Sequence, residues 1–247
     1  MGRILALGIL GTLACKKIRC LIVRDVPAVP TGLMLALFLA CPAFVEAQSG
    51  AITGTIITNA KGAAPVRVTI DQNVCGNELP DEAIVVDAQG RLANSVISVV
   101  GLKRSVISEP VITNEKCRFG PRVQLARPNV SIRTTSKDPI LHTTQAQRED
   151  GRSIFNVALP MPGLNITKPI GGAGTVRLSC NTHPWMRGWM IVTDEAAAVS
   201  GADGKFTIDD VPPGTYELRV WHEALKGAAQ KITVVAGKAS EVSFQLR

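Results

Sequence analysis

Hydrophobic and polar residues alternate in short runs along most of this chain, and turn sequences such as 59–62 and 87–90 separate the runs. Such alternation between turns is typical of strands. No stretch keeps a helical apolar period for three turns, and the best helical candidates, 195–199 and 223–229, are very short. The strands predicted before residue 140 are 52–58, 65–70, 83–87, 95–100, 111–113, 123–125 and 130–134. The pattern predicts an all-β protein of sandwich type.

The sequence pattern changes near residue 194, where turns at 201–204 and 211–214 alternate with strand-like runs. The predicted strands there are 205–208, 215–221, 230–235 and 241–246. The segment 202–223, with its Asp-Val-Pro-Pro-Gly-Thr-Tyr core, resembles carboxypeptidase regulatory-like modules, which implies a small transthyretin-like β-sandwich. Residues 51–70 also resemble the opening strands of such a module. Two arrangements follow: consecutive domains at 50–193 and 194–247, or a module at 194–247 completed by strands from 51–70.

The first 47 residues have the features of an export signal. A basic segment precedes the apolar stretch 33–44, and Val45-Glu46-Ala47 provides small residues for cleavage after Ala47. We therefore expect residues 1–47 to be a signal peptide and the mature protein to be periplasmic or secreted. Cys41 offers a lipidated alternative. No apolar run is long enough for a membrane-spanning helix, so no transmembrane span is expected after cleavage.

Charge and cysteine content narrow the function classes. The 247 residues carry a formal charge of +7, but the basic residues are scattered and aromatics make up only 4%, which argues against nucleic-acid binding. Without residues 1–47, three cysteines remain, Cys75, Cys117 and Cys180. An odd number in an oxidising compartment leaves one thiol that a single disulfide does not use.

Potential metal-binding side chains are concentrated in one heptapeptide between strand-like runs at 175–179 and 189–193, Cys180-Asn181-Thr182-His183-Pro184-Trp185-Met186. A thiolate, an imidazole and a thioether two to four residues apart can turn inward from one loop, and they are ligands that copper takes. A blue-copper centre needs a second imidazole from an earlier strand. His142 is the candidate, 38 residues before Cys180 in Lys-Asp-Pro-Ile-Leu-His.

This spacing resembles the cupredoxins, above all the amicyanin and plastocyanin types, and the run 155–163 also matches exported proteins of the methylamine-utilisation type. The resemblance implies a Greek-key cupredoxin sandwich with a copper ion, equatorial ligands His142, Cys180 and His183, and axial ligand Met186. It implies one-electron transfer without catalysis, because four filled positions leave no open coordination for a substrate. One departure is Thr143, where amicyanin-type sites have an Asn that ties the two ligand loops together.

The resemblance also implies how the rest of the site is built. If Cys180 is the metal thiolate, Cys75 and Cys117 remain to form one disulfide. In the resembled family an edge of the imidazole equivalent to His183 lies near the surface. Trp185 and Met161, with neighbouring prolines, would then form an apolar surface on which a redox partner protein docks.

Other interpretations use the same residues. Cys180 could form a structural disulfide with Cys75 or Cys117, which would leave a non-metal β-sandwich binding module. Zinc could use Cys180 and two histidines, although a thioether is a poor zinc ligand. A periplasmic copper carrier or scavenger would keep all four copper ligands and differ only in how fast copper is exchanged.

Overall fold

Strands form almost all of the regular structure in this protein. The computed structural model describes residues 48–104 and 109–247. The strands are β1 (Gly50–Thr58), β2 (Val66–Arg67), β3 (Glu78–Leu79), β4 (Val96–Lys103), β5 (Val111–Glu115), β6 (Arg118–Gly120), β7 (Val123–Ala126), β8 (Ser131–Ser136), β9 (His142–Arg148), β10 (Ser153–Leu159), β11 (Asn165–Pro169), β12 (Gly174–Ser179), β13 (Arg187–Val192), β14 (Glu195–Val199), β15 (Lys205–Val211), β16 (Gly214–Trp221), β17 (Ala228–Val234) and β18 (Ala239–Leu246). Within these residues the only helix is one turn, α1 (Gln72–Cys75). The prediction of an all-β protein is confirmed.

The predicted signal peptide, residues 1–47, lies outside the described residues. In the part of the chain that the structure describes, no helix has the length and apolar character needed to cross a membrane.

One sandwich, here called the module sandwich, combines strands from both ends of the described chain. Its sheets have the orders β15-β1-β18 and β14-β4-β16-β17. The strand β1 shows strict alternation of buried positions, and Ile52 and Ile56 project into the shared core with Phe206. Gly54 belongs to the same row, where a Cβ would collide with the Val242 carbonyl and the Phe206 ring. Glycine there leaves room for the Phe206 ring of β15 and for the close approach of the β18 backbone, both of them neighbours of β1 in the same sheet.

The other sandwich, here called the site sandwich, carries the candidate ligands. Its sheets have the orders β10-β9-β12-β13-β7 and β11-β8-β5-β6, with mixed parallel and antiparallel pairing. The inner faces meet in a second apolar core that includes Ile112, Ile132, Leu178 and Met190. The segment 66–79 packs on this core rather than on the core of the module sandwich, as the burial of Val68 shows.

The strand pairing differs from a division into consecutive domains at residue 193. Strand β1 pairs with β15 and, in parallel, with β18, and β4 pairs with β14 and β16. Residues 50–58 and 96–103 therefore lie in the module sandwich, whereas 66–67 lies outside it and pairs with 78–79. Alternation tells which face of a strand is buried but not which sheet the strand joins, so the boundary could not be read from the pattern.

Both short helical candidates are wrong. Residues 195–199 form β14, and residues 223–229 contain no helix. The Ala-rich sequence of β14 has high helix propensity, but pairing with β4 and burial of Ala196 outweigh it. The predicted strand 83–87 is reduced to an isolated bridge between Val86 and Leu92.

A buried ion pair connects the two sandwiches. Arg122, which precedes β7, donates through Nε and Nη2 to the two carboxylate oxygens of Glu223 at 2.7 and 2.8 Å, and both side chains are at most 10% exposed. Trp189 on β13 donates its indole N–H to the same carboxylate at 2.8 Å. Glu223 follows β16 of the module sandwich, so this carboxylate links it to β13 and to the start of β7 in the site sandwich.

We expect Glu223→Ala to lower the free energy of unfolding by about 3 kcal/mol, because it leaves the buried Arg122 guanidinium with only the longer 3.8 Å contact to Glu82 among the described carboxylates. Urea unfolding followed by tryptophan fluorescence measures the change. Glu217→Ala is the matched control: its pair with Arg219 is solvent-exposed, and its loss should cost less than about 1 kcal/mol. Equal effects of the two variants would contradict a structural role for the buried pair.

Candidate metal centre

The register of two neighbouring strands brings the predicted ligands to one end of the site sandwich. His142 is the first residue of β9, and Cys180 follows the last residue of β12. These strands are antiparallel, with Ser179 opposite Gln145, so Cys180 lies beside the start of β9. The loop 180–186 then turns back into β13, and the Met186 amide donates to the His183 carbonyl at 3.0 Å.

Three of the predicted ligands form a compact buried cluster. One donor atom each from His142, Cys180 and His183 lies within 4.8 Å of the other two. The Cys180 Sγ is 3.6 Å from His183 Nδ1, and the two imidazole rings are 4.7 Å apart. Both histidines are fully buried, and the Met186 side chain is buried in the same core. The arrangement supplies sulfur and imidazole donors that could hold a metal ion.

Thr143 connects the two ligand segments. Its amide donates to Cys180 Sγ at 3.3 Å, and its hydroxyl lies 3.7 Å from the same sulfur. The hydroxyl also accepts the Asn181 amide at 2.7 Å. The sequence departs from the amicyanin pattern at this position, yet the threonine ties the β9 end to the ligand loop.

Each histidine has its outer nitrogen paired to a carboxylate. His142 Nε2 is 2.9 Å from Asp138 Oδ2, and His183 Nε2 is 3.0 Å from Asp71 Oδ2. Such bonds favour the tautomer with the proton on Nε2, which leaves the Nδ1 lone pair toward Cys180. Sequence reasoning assigned no role to either carboxylate. Asp138 stands four residues before His142 and could have been noticed; Asp71 is 112 residues from His183 and gives no local signal.

The expected exposed imidazole edge is wrong for this chain. His183 has no exposed surface, and Asp71 covers its outer nitrogen. The carboxylate itself is 35% exposed, so it lies between the imidazole and solvent.

The cysteines divide into one bridge and one thiol. The structure joins Cys75 to Cys117, 42 residues apart, and among the described cysteines Cys180 is free and buried. Burial alone would raise the pKa of the Cys180 thiol, but the facing His142 imidazole and the amides of Thr143 and His183 lower that pKa to about 5. Burial opposes charge on His142, whereas the nearby Cys180 and Asp138 favour it, and the pKa of His142 is raised.

We expect Cys180 to be a thiolate at neutral pH in the metal-free protein. The folded thiol ionises near pH 5 and the unfolded thiol near 9.0, so the unfolded state binds the extra proton between these values. The contribution of Cys180 to the free energy of unfolding is therefore complete above pH 9 and disappears as the pH falls through about 5. Ultraviolet thiolate absorbance, with Cys180→Ser as the baseline, measures the titration; ionisation near pH 9 would contradict it.

The two residues predicted for partner docking occupy different environments. Met161 is 59% exposed just beyond the end of β10. Trp185 is half-buried, its ring lies 5.3 Å from the His183 ring, and its indole N–H donates to the Cys117 carbonyl at 3.3 Å. Leu159 pairs with His142. The exposed Leu141, which directly precedes β9, and Met161, which follows β10, therefore lie at the same end of the sheet that carries His142.

Comparison with known proteins matches one part of the chain to a family by sequence. The family model of the carboxypeptidase regulatory-like domain matches residues 190–247, which confirms the predicted module. No protein of curated function matches the chain in sequence.

The similar solved structures include cupredoxins, as the sequence predicts. A purple cupredoxin from Nitrosopumilus maritimus is 19% identical, with a TM-score of 0.31, and the match covers 34% of this chain and 100% of that protein. A reduced Cu(I) form of an amicyanin variant is 14% identical, with a TM-score of 0.30, and the match covers 39% of this chain and 98% of that protein. The likeness concerns part of the chain.

Proposed function

We propose that this protein is an exported type 1 copper protein that takes part in one-electron transfer and is not an enzyme. The observation that carries the proposal is the buried cluster of His142, Cys180 and His183, in which each imidazole is held by a carboxylate on its outer nitrogen. Export is supported by the signal-like residues 1–47 and by the disulfide, which persists in oxidising compartments.

The donor set fits copper. A thiolate with two imidazoles, together with the Met186 thioether buried in the same core, is a soft and borderline set of the kind that copper takes. His142 Nδ1 is buried and has no hydrogen-bond partner among the described residues, so a polar atom with an available lone pair points into the cluster. Copper bound there would supply a one-electron redox couple.

The chain's own residues would keep the ligand geometry the same in both oxidation states. His142 and Cys180 are fixed at strand ends, Thr143 bonds the sulfur, and two carboxylates orient the rings. Full burial of both imidazoles excludes water from their faces. Little rearrangement would then accompany electron transfer, and a substrate would find no open ligand position.

A redox partner protein would approach through the exposed apolar residues beside β9 and β10. Met161 and Leu141 are 59% and 45% exposed there. Trp185 would contribute through its half-buried ring beside His183. This surface fits a brief redox encounter better than a permanent interface, since it is small.

A copper carrier is the second candidate, and the buried His183 favours it. An imidazole without an exposed edge leaves a longer path for an electron to a docked partner. The two functions differ in rate: a shuttle exchanges electrons much faster than it exchanges copper, whereas a carrier passes copper on.

The experiment adds Cu(II) to the purified copper-free protein and records the visible spectrum, then mixes oxidised and reduced protein to measure electron exchange. We expect an intense thiolate-to-copper band and exchange of electrons without release of copper. Met161→Glu should slow electron transfer to a partner while leaving the band unchanged. The absence of a band, with Cys180 found in a disulfide, would discard the proposal.

A further inference from the structure

The side of the site next to His183 is closed by a small segment, residues 66–79, here called the cap. Its two ends pair as β2 and β3, the Val68 amide donates to the Asn77 carbonyl at 2.9 Å, and α1 lies at its tip. Val68 and Leu79 are buried in the core of the site sandwich. The cap is therefore an ordered part of this core, although in the sequence it falls between β1 and β4, which are strands of the module sandwich.

Asp71 projects from the cap onto the outer nitrogen of His183. It precedes α1 with a φ of 53°, in the left-handed region, and its carbonyl accepts the amides of Val74 and Cys75 at 2.9 Å. Its side chain makes no hydrogen bond to the first turn of α1. A residue that would ordinarily cap its own helix thus has its carboxylate on the imidazole instead.

The disulfide fastens the cap to the strand pair beside the other histidine. Cys75 ends α1, and Cys117 lies in the tight turn between β5 and β6. The Cys117 amide donates to Asp138 Oδ2 at 2.9 Å, the same oxygen that contacts His142, and the Cys117 carbonyl accepts the Trp185 indole. Cys117 therefore links Asp138, which contacts His142, to the cap that carries Asp71, which contacts His183.

A carboxylate on a buried imidazole has a definite effect on a metal bound through the other nitrogen. It holds the ring in one tautomer and makes the ligand more basic, which stabilises the more highly charged ion. Removal of such an outer partner typically weakens metal binding by about 10- to 100-fold.

We propose that Asp71 is a positioning residue for His183 and that the Cys75–Cys117 disulfide holds it there. The proposal rests on the proposed function, because its effect on potential requires copper at the cluster. According to this proposal, the cap adjusts the reduction potential of the copper centre through the covered imidazole of His183.

The first test uses the copper-free protein, so it does not depend on copper binding. Imidazole ¹⁵N shifts, measured at a pH high enough to keep the rings neutral, report the tautomer of His183. Asp71→Gly keeps the left-handed backbone accessible and removes the carboxylate, whereas Asp71→Asn keeps an accepting oxygen. We expect Asp71→Gly to lose the Nε2–H preference and Asp71→Asn to restore it. A wild-type tautomer in Asp71→Gly overturns the proposal.

The second test uses the copper-loaded protein. We expect both Asp71 variants to weaken Cu(II) binding by at least about tenfold more than Cu(I) binding, which corresponds to a rise of about 59 mV in reduction potential. Asp81→Asn is the matched control, because Asp81 follows the cap and, among the described residues, its carboxylate accepts only the Ala83 amide. An unchanged potential in both Asp71 variants overturns the tuning role. Failure of the wild type to bind copper overturns the proposed function and leaves the tautomer result standing.

The role of the disulfide is tested by a double-mutant cycle. Cys75→Ala with Cys117→Ala should itself reduce the Nε2–H preference of His183, and adding Asp71→Gly should then change the tautomer little. Additive effects would overturn the tether, because they would show that Asp71 stays on His183 without the bridge.

Discussion

We expect Cys180→Ser to abolish the thiolate-to-copper band and to weaken Cu(II) binding by more than about 100-fold, beyond the loss typical of an outer partner. Cys180 is the only ligand candidate whose sulfur can be a thiolate, since the other two described cysteines form a bridge. Serine has nearly the same shape and accepts the Thr143 amide, so the fold should be retained. Visible spectroscopy and copper titration measure the two effects.

Two control variants distinguish the effect of losing the Cys180 sulfur from the effect of disturbing the surrounding site. Ser179→Ala alters the preceding residue, which faces Gln145 rather than the cluster, and should keep the band. Met186→Leu removes the thioether that we propose as a fourth copper ligand, and should keep the band while changing the reduction potential. An intact band in Cys180→Ser would contradict the assignment of the thiolate, and loss of the band in Ser179→Ala would show that the site is lost through misfolding.

The proximity of Cys180 and His183 was predictable because it depends on a short spacing within one inter-strand loop. His142 required a further step, the pairing of its strand with the strand before Cys180. The carboxylate on His183 could not be predicted, since Asp71 reaches the site only through the packing of the cap and a bridge between distant cysteines.

A polar interior explains one of the strands that the pattern missed. Strand β9 (His142–Arg148) was not predicted, because its inward residues include His142 and Thr144. The Thr144 hydroxyl pairs with that of Thr134 on the opposite sheet at 3.0 Å, and both side chains are fully buried. Hydrogen bonding within the core thus replaces the apolar signal on which the pattern depends.

The nested arrangement of the two sandwiches was likewise left open by the sequence. Parallel pairing of β1 with β18 joins residues at opposite ends of the described chain. Local propensity and turn chemistry carry no information on such a pairing, and the resemblance of 51–70 to opening strands was the only available signal.

Removal of the Cys75–Cys117 bridge should produce the largest loss of stability among the variants considered. The bridge closes a separation of 42 residues, and the chain-entropy relation for a loop of that length gives about 4 kcal/mol. Both cysteines are buried in the site sandwich, so Cys75→Ala with Cys117→Ala also loses packing. Urea unfolding of the copper-free protein measures the change.

The expected loss has a second consequence at the ligand cluster. Without the bridge the cap is held to the rest of the site sandwich mainly by its apolar contacts, so it should open at lower urea concentration than the rest of that sandwich. Hydrogen exchange of the Val68 and Cys75 amides, both bonded within the cap, would detect this local opening. Chemical reduction of the wild-type bridge should reproduce the effect. A loss below about 1 kcal/mol with unchanged exchange in the cap would contradict the tether, since the bridge would then constrain neither the unfolded chain nor the cap.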